Sequence, residues 1–188
     1  MPGCYLWQAY SPEAKVELTS HALVSGKDIF LVDPIGLTKK AFAELEAIPG
    51  NIAAVLLTNG NHERDAVALR DRYHVPIYAH PAAGSEFEFE TVDISALSSE
   101  LEIIPLRGAG PGEVGIYDRQ KRLLILGDIV INLSSYDFAP LPAKYATDVK
   151  EMQRSLAALK TLDVSTICFA HGLPVTTRAA ERLASLSA

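Results

Sequence analysis

The stretch Leu57-Thr58-Asn59-Gly60-Asn61-His62-Glu63-Arg64-Asp65 is the part of the chain richest in potential chemistry. An apolar run at 52–57 leads into it, and a helical pattern at 66–73 follows it. A strand that ends in a polar turn and feeds a helix is where α/β proteins place ligands. An N-cap at Asn61 with an acid at Glu63 would be ordinary helix capping, and Asn59-Gly60 could form a hairpin turn, but no alternating strand follows. Neither reading explains His62 and Arg64, so the stretch indicates a binding turn.

Composition places the chain among ordinary globular proteins. We expect one domain over residues 1–188, long enough for a full core, with 48% hydrophobic residues. A formal charge of −6 without a Lys/Arg cluster argues against a nucleic-acid partner. Cys4 and Cys168 have neither metal-site nor disulfide-framework spacing, which favours reduced thiols and a cytoplasmic location. No signal-peptide pattern and no apolar run near the length of a membrane span is seen, so we expect no membrane partner.

Hydrophobic patterns outline the order of the elements. The first 12 residues indicate a packed arm or first strand, and strands are predicted at 16–25, 28–33, 52–57, 75–79, 87–92, 101–106, 114–117, 122–126 and 164–170. Helices are predicted at 37–48, 66–73 and 148–159, with a last one starting at Pro174. Residues 129–143 show no clear period and are predicted to be a loop that covers a site. The glycine run at 108–112 has the wrong spacing for a dinucleotide fingerprint.

Polar residues follow several of the apolar strands. Asp33, the 59–65 turn, Asp128 and His171 each come where a strand ends. If these strands run in the same direction, their ends meet at one edge of a sheet and their side chains share a cleft. Each residue alone has a structural explanation as a turn acid, a cap or a backbone-bonded histidine. Their combination favours a shared site.

The order of these motifs resembles the metallo-β-lactamase superfamily over nearly the whole length. Residues 29–34 look like the family's early strand ending in Asp, and residues 56–65 lie where the family carries Thr-His-x-His-x-Asp-His. Residues 108–112 lie at its Gly-His-Thr-Pro-Gly turn, Asp128 matches its bridging aspartate, and His171 matches its last histidine. The resemblance implies an α/β fold, a four-layer αβ/βα sandwich of two mixed β-sheets flanked by helices, and a site that holds one or two metals, commonly zinc, for hydrolysis.

The chain departs from the family at most of the implied metal ligands. The first two histidines fall on Asn59 and Asn61, the aspartate on Glu63, the next histidine on Arg64, and the histidine of the glycine turn on Ala109. An amide oxygen is a weak zinc ligand, and a guanidinium has no lone pair to offer. The resemblance therefore predicts no tightly bound zinc pair. We expect no metal or other cofactor, with zinc or another divalent ion held by Glu63, Asp128 and His171 as the fallback.

Roles can be assigned to the remaining polar residues. Asp128 and His171 are the predicted catalytic residues. The predicted substrate-binding residues are Asn59, Asn61, His62 and Arg64. Arg64 is further expected to pair with Asp128, Glu63 or both, neutralising carboxylates that lack a metal. A ligand role for His62 is the less favoured alternative.

Two functions follow from the resemblance and its departures. The first is a hydrolase-like protein whose site is remodelled and zinc-poor or metal-free. The second is a non-catalytic pseudoenzyme that binds a small anionic ligand or a protein partner. No Gly-x-Ser-x-Gly elbow is present, which disfavours a serine hydrolase. We expect a small-molecule, anionic ligand, and aromatic residues near the N-terminus favour a homodimer.

Overall fold

Two β-sheets pack against each other in the computed structural model, which describes residues 3–186. The strands of the larger sheet are, in spatial order, β1 (Cys4–Ser11), β2 (Val16–Ser25), β3 (Asp28–Val32), β4 (Asn51–Leu56), β5 (Ile77–Ala79) and β6 (Val92–Asp93). The strands of the smaller sheet are β12 (Thr166–Phe169), β9 (Leu123–Leu126), β8 (Val114–Asp118) and β7 (Glu102–Pro105). A separate hairpin pairs β10 (Val130–Leu133) with β11 (Asp137–Pro140).

Helices cover the outer faces of both sheets. The α-helices are α1 (Lys39–Glu46), α2 (Ala66–Tyr73), α3 (Pro81–Gly84), α4 (Val149–Leu159) and α5 (Ala179–Ser185). The Thr38 hydroxyl accepts a hydrogen bond from the Ala41 N–H and begins α1, and the Asp148 carboxylate caps α4 in the same way. None of the helices within residues 3–186 combines the length and the apolar character needed to cross a membrane.

The buried side chains form three layers of core. Between the sheets, Phe30 and Leu56 of the larger sheet pack with Ile116 and Ile125 of the smaller one. Outside the larger sheet, α1 and α2 cover a second cluster, and outside the smaller sheet α4 and α5 cover a third. The predicted αβ/βα sandwich is therefore confirmed.

Most predicted elements are present, with three corrections. The last helix, predicted to start at Pro174, begins at Ala179, because Val175 forms a β-bridge with Ile167. Residues 87–92, predicted to be a strand, form only the short β6 at their end, because the Glu86 and Phe87 N–H groups bond back to the carbonyls of Ala83 and Gly84. Residues 129–143, predicted to be a loop, contain the β10–β11 hairpin, whose turn is closed by Asp137 at a positive φ of 54°. The N-terminal arm forms β1, and Met1 and Pro2 lie outside the described residues.

Candidate metal centre

Four strand ends meet at one edge of the sandwich. The strands β3 and β4 run parallel in the larger sheet, and β9 and β12 run parallel in the smaller one. Asp33 follows β3, the 58–65 turn follows β4, Asp128 follows β9, and His171 follows β12. The structure brings these groups together, as the strand-end pattern predicts.

His62 lies at the centre of the cluster and is almost completely buried. Its Nδ1 atom is 2.9 Å from Asp33 Oδ2 and 2.9 Å from Thr58 Oγ1. The Thr58 hydroxyl donates its hydrogen to Asp33 Oδ2 at 2.5 Å, and the Thr58 N–H donates to Asp33 Oδ1 at 2.8 Å. Both neighbours of Nδ1 therefore act as acceptors, so Nδ1 carries a proton, and in the neutral ring the lone pair is on Nε2.

His171 is held in the same tautomer by a different acceptor. Its Nδ1 atom lies 3.1 Å from the carbonyl oxygen of Glu17 in β2. A carbonyl can only accept, so Nδ1 is the donor and the neutral ring keeps its lone pair on Nε2. The preceding residue, Ala170, accepts the Thr19 N–H at 2.8 Å, which fixes the end of β12 against β2.

The two Nε2 atoms face the same carboxylate. Asp128 Oδ1 is 3.2 Å from His62 Nε2 and 3.2 Å from His171 Nε2. Among residues 3–186, His62 Nε2 has no hydrogen-bond partner, because its contact with Asp128 is close enough for an ion pair but lacks hydrogen-bond geometry. The three ligand atoms all lie within 4.8 Å of one another.

This arrangement fits a divalent metal ion. Ligands at about 2.0–2.1 Å around a tetrahedral zinc are separated by roughly 3.3 Å. The spacing from Asp128 to each imidazole is close to that value. Metal-bound histidines characteristically donate the other ring N–H to a carboxylate or a carbonyl, as His62 and His171 do here. The donor set of two imidazoles and one carboxylate also matches zinc chemistry.

Burial and neighbouring charges shift the pKa values of His62 and Asp128 in opposite directions. Burial lowers the pKa of His62, but the charges of Asp33 and Asp128 outweigh it and raise the pKa to about 9. Burial would raise the pKa of Asp128, yet His62 and His171 together hold that pKa well below its ordinary value. Without a metal ion, His62 is thus an imidazolium between two carboxylates at neutral pH.

Asn59 and Glu113 support Asp128 from the other side. Asn59 Oδ1 accepts the Asn61 N–H at 2.8 Å, so its Nδ2 faces Asp128 Oδ2 at 3.1 Å and, more weakly, Glu113 Oε2 at 3.4 Å. The buried Glu113 also accepts the Ile129 N–H at 2.6 Å. Burial, with the Asp128 charge, raises the pKa of Glu113 to about 8. Sequence reasoning missed this residue, although an acid between a glycine run and an apolar strand is a usable signal.

The 61–65 turn places Glu63 differently from the prediction. Asn61 and Glu63 are exposed, and Asn61 lines a cleft that Asp128 and His171 also line. Glu63 is not part of the cluster of His62, Asp128 and His171. The structure therefore does not bring together the fallback set of Glu63, Asp128 and His171. His62 takes the place of Glu63. The less favoured alternative, a ligand role for His62, agrees with this geometry.

Arg64 also differs from its expected role. It was predicted to pair with Asp128 or Glu63, but its guanidinium donates to main-chain carbonyls, those of Thr19, Asp33 and Ala170. The physical reason is that His62 already lies between Asp33 and Asp128 and supplies the positive charge that these carboxylates require.

A cleft of about 560 Å³ opens over the cluster. The β10–β11 hairpin and the residues after it form one wall, and the β1–β2 turn forms another. Its lining includes Lys15, Asn61, Ala109, Asp128, Ile131, Leu133, Tyr136, Leu141, Tyr145 and His171. The predicted covering role of residues 129–143 agrees with this position, and the volume suits a small molecule.

Known structures share this architecture. The chain aligns with a metallo-β-lactamase family protein from Thermus thermophilus at 17% identity and a TM-score of 0.68, covering 97% of this chain and 78% of that one. It aligns with the DIM-1 metallo-β-lactamase at 17% identity and a TM-score of 0.75, covering 99% and 93%. A third neighbour, TTHA1623 in a di-iron-bound form, has 20% identity, a TM-score of 0.72 and coverages of 97% and 98%. At these identities the likeness concerns the fold.

Sequence comparison gives the family. No curated protein matched the chain in sequence. The family model described as "Metallo-beta-lactamase superfamily" matches residues 1–188, the full length of the chain. The chain therefore belongs to the metallo-β-lactamase superfamily.

Proposed function

We propose that this protein is a hydrolase whose His62, Asp128 and His171 hold a single divalent metal ion, with zinc as the first candidate. The observation that carries the proposal is the matched orientation of the two rings: both imidazoles have Nδ1 bonded to an acceptor and Nε2 facing Asp128. The proposal favours the metal that sequence reasoning kept only as a fallback, with His62 in place of Glu63.

The chemistry of such a site is hydrolytic. A bound divalent ion lowers the pKa of a coordinated water and polarises a carbonyl or phosphoryl oxygen. His62 must give up its Nε2 proton to act as a ligand, and Asp33 then keeps Nδ1–H oriented. Asn59 anchors Asp128 Oδ2, which leaves Oδ1 directed at the two histidines.

The cleft supports a small-molecule substrate. Its walls carry the apolar side chains of Ile131 and Leu133 together with Tyr136 and Tyr145. Lys15 and Asn61 lie in the same lining and can donate hydrogen bonds to an anionic or carbonyl group. A small substrate with such a group is therefore the ligand class that the lining supports.

Metal content is the first test. We expect purified protein incubated with zinc, manganese or iron, then desalted, to retain about one ion per chain by elemental analysis. The variant His62→Gln should lose most of it. His74→Asn is the matched control, since His74 is exposed and Asn tolerates the positive φ of 54° found there.

Activity is tested on the loaded protein with chromogenic carboxyl esters, thioesters, lactams and phosphoesters. Turnover that requires the ion and disappears in His62→Gln supports the proposal. Absence of metal under every condition, or equal metal content in His62→Gln, contradicts it. A folded protein with neither metal nor turnover would support the alternative, a pseudoenzyme that binds a small anionic ligand or a protein partner.

A further inference from the structure

The guanidinium of Arg64 connects three separate main-chain segments. Its Nη1 donates to the carbonyls of Thr19 and Asp33, at 2.8 Å each, and its Nη2 donates to the carbonyl of Ala170 at 3.3 Å. Thr19 belongs to β2 and Asp33 follows β3, so both are in the larger sheet, whereas Ala170 follows β12 of the smaller one. The side chain therefore joins the two sheets at the edge where the site is formed.

Each end of the bridge that Arg64 forms lies next to a group that holds one of the two imidazoles in place. The carboxylate of Asp33 holds His62 Nδ1, and Ala170 directly precedes His171. Thr19 is hydrogen-bonded to the segment that carries His171, because its N–H donates to the Ala170 carbonyl and its hydroxyl donates to the Gly172 carbonyl at 3.1 Å. A displacement of the guanidinium would thus move the support of one histidine relative to the other.

We propose that Arg64 is a positioning residue that sets the separation of the His62 and His171 imidazoles and thereby the affinity of the site for a metal ion. This inference rests on the proposed function. Arg64 does not itself contact Asp128 or either imidazole by a hydrogen bond or ion pair among residues 3–186; it acts through the backbone on which they stand.

The fork geometry of arginine explains why this residue type is used. A planar guanidinium offers five N–H donors in fixed directions and stays charged when half-buried, so one group can satisfy three carbonyls in different chain segments. A lysine ammonium is shorter in reach and has no planar fork. Replacement by Lys keeps the charge while losing the bridge, which makes it the informative substitution.

The test measures metal affinity and site geometry together. Zinc dissociation constants are obtained by competition with a chromogenic chelator, and the visible absorption of the Co²⁺-loaded protein reports coordination geometry. We expect Arg64→Lys to weaken zinc binding by about 10- to 100-fold, the range typical for loss of an outer partner of a ligand. The Co²⁺ bands should shift as well.

Arg70→Lys is the matched control, because Arg70 lies on α2 and pairs with the exposed Asp71 away from the site. Arg64→Gln, whose planar amide retains two donors, serves as the second variant if the Lys variant does not fold. Wild-type affinity together with a wild-type Co²⁺ spectrum in either folded Arg64 variant would overturn this inference alone. A wild-type chain that binds no ion would instead overturn the proposed function, and this inference with it.

Discussion

At the scale of single residues, the sequence could assign Asp128 and His171 to the site, whereas the position of His62 depends on how the chain packs. Asp128 and His171 could be assigned because each directly follows an apolar strand, and the structure places both in the cluster. His62 lies within a turn, where the direction of a side chain depends on local dihedral angles such as the positive φ of 46° at Arg64. Turn geometry of that kind is not encoded in any periodicity, so His62 and Glu63 could not be told apart.

The raised pKa of His62 predicts how the metal-free protein responds to alkali. The folded-state pKa is about 9 against an ordinary 6.5, because the charges of Asp33 and Asp128 outweigh burial. The resulting stabilisation is fully present below about pH 6.5 and is lost as the pH rises through about 9. We expect the free energy of unfolding to fall by on the order of 3 kcal/mol over that window.

Urea denaturation of the chelator-treated protein at several pH values measures this loss. His62→Gln should flatten the dependence between neutral pH and pH 9. An equally steep dependence in His62→Gln would show that another group is responsible.

His21 predicts the opposite pH dependence. It is buried in β2, and among residues 3–186 neither ring nitrogen has a hydrogen-bond partner. Burial lowers its pKa to about 4, although Asp33 acts in the other direction. Between about pH 6.5 and 4 the unfolded chain binds the proton more readily, so this residue destabilises the fold progressively as the pH falls.

We expect His21→Leu to raise the free energy of unfolding by about 1 kcal/mol at pH 7, because it removes unpaired buried polar atoms. At pH 5 the advantage should grow by about 2 kcal/mol. Thermal or urea melts at the two pH values provide the measurement. A destabilised variant at pH 5 would mean that His21 makes favourable contacts that outweigh its desolvation.

At the scale of elements, hydrophobic runs and caps predicted most strands and helices, whereas local hydrogen bonding decided the exceptions. Thr38, whose hydroxyl accepts the Ala41 N–H, begins α1 close to the predicted start at residue 37. The alternating Glu and Phe residues at 86–90 imitate a strand, but Phe87 and Phe89 stack at 5.0 Å while the backbone turns back on α3. The β10–β11 hairpin was missed because its turn, at 134–136, contains no glycine.

A substitution at Gly172 tests whether the β10–β11 hairpin holds the His171 segment in place. It has a φ of +106°, and a Cβ atom there would lie 1.9 Å from the carbonyl oxygen of Asn132 in β10. We expect Gly172→Ala to lower the free energy of unfolding by about 3 kcal/mol, from backbone strain and displacement of the hairpin, and to weaken metal binding. Chemical denaturation and the chelator competition measure the two effects.

Gly26→Ala is the control for that substitution. Gly26 also has a positive φ, of +60°, but a Cβ there meets nothing within 4 Å. Gly26→Ala should lower the free energy of unfolding only by the about 1–2 kcal/mol that a left-handed backbone conformation costs a residue with a Cβ. The metal affinity should be unchanged. Equal losses in the two variants would show that the close approach to Asn132 is unimportant.

At the scale of the whole molecule, the resemblance to the superfamily predicted the sandwich, because it rests on the order of motifs that each terminate a strand. The same resemblance could not predict the ligand set, since it assigns ligands by position in the chain. Here Asn59, at the place of an implied ligand, donates to Asp128, and the ion-binding role passes to His62.

Metal binding should stabilise the entire fold, because the three ligands come from both sheets. At a hundredfold excess over the dissociation constant, linkage predicts a gain of about 2.7 kcal/mol. For a chain of this size that corresponds to a rise in Tm of roughly 5–10 °C. Differential scanning fluorimetry with and without zinc measures it, and an undiminished shift in His62→Gln would contradict the proposed ligand set.

The β10–β11 hairpin forms a sheet of its own and still supplies much of the cleft wall. Val130 and Phe138 of the hairpin pack in the core beside the smaller sheet, whereas the tip at 134–137 is exposed. The tip can therefore be exchanged for one of another length or sequence while the sheets keep their packing. Grafting tips from other members of the superfamily onto residues 133–137 is thus a direct route to altering which molecules the cleft admits. The Asn132 backbone, which supports the His171 segment, is the part that every such graft must preserve.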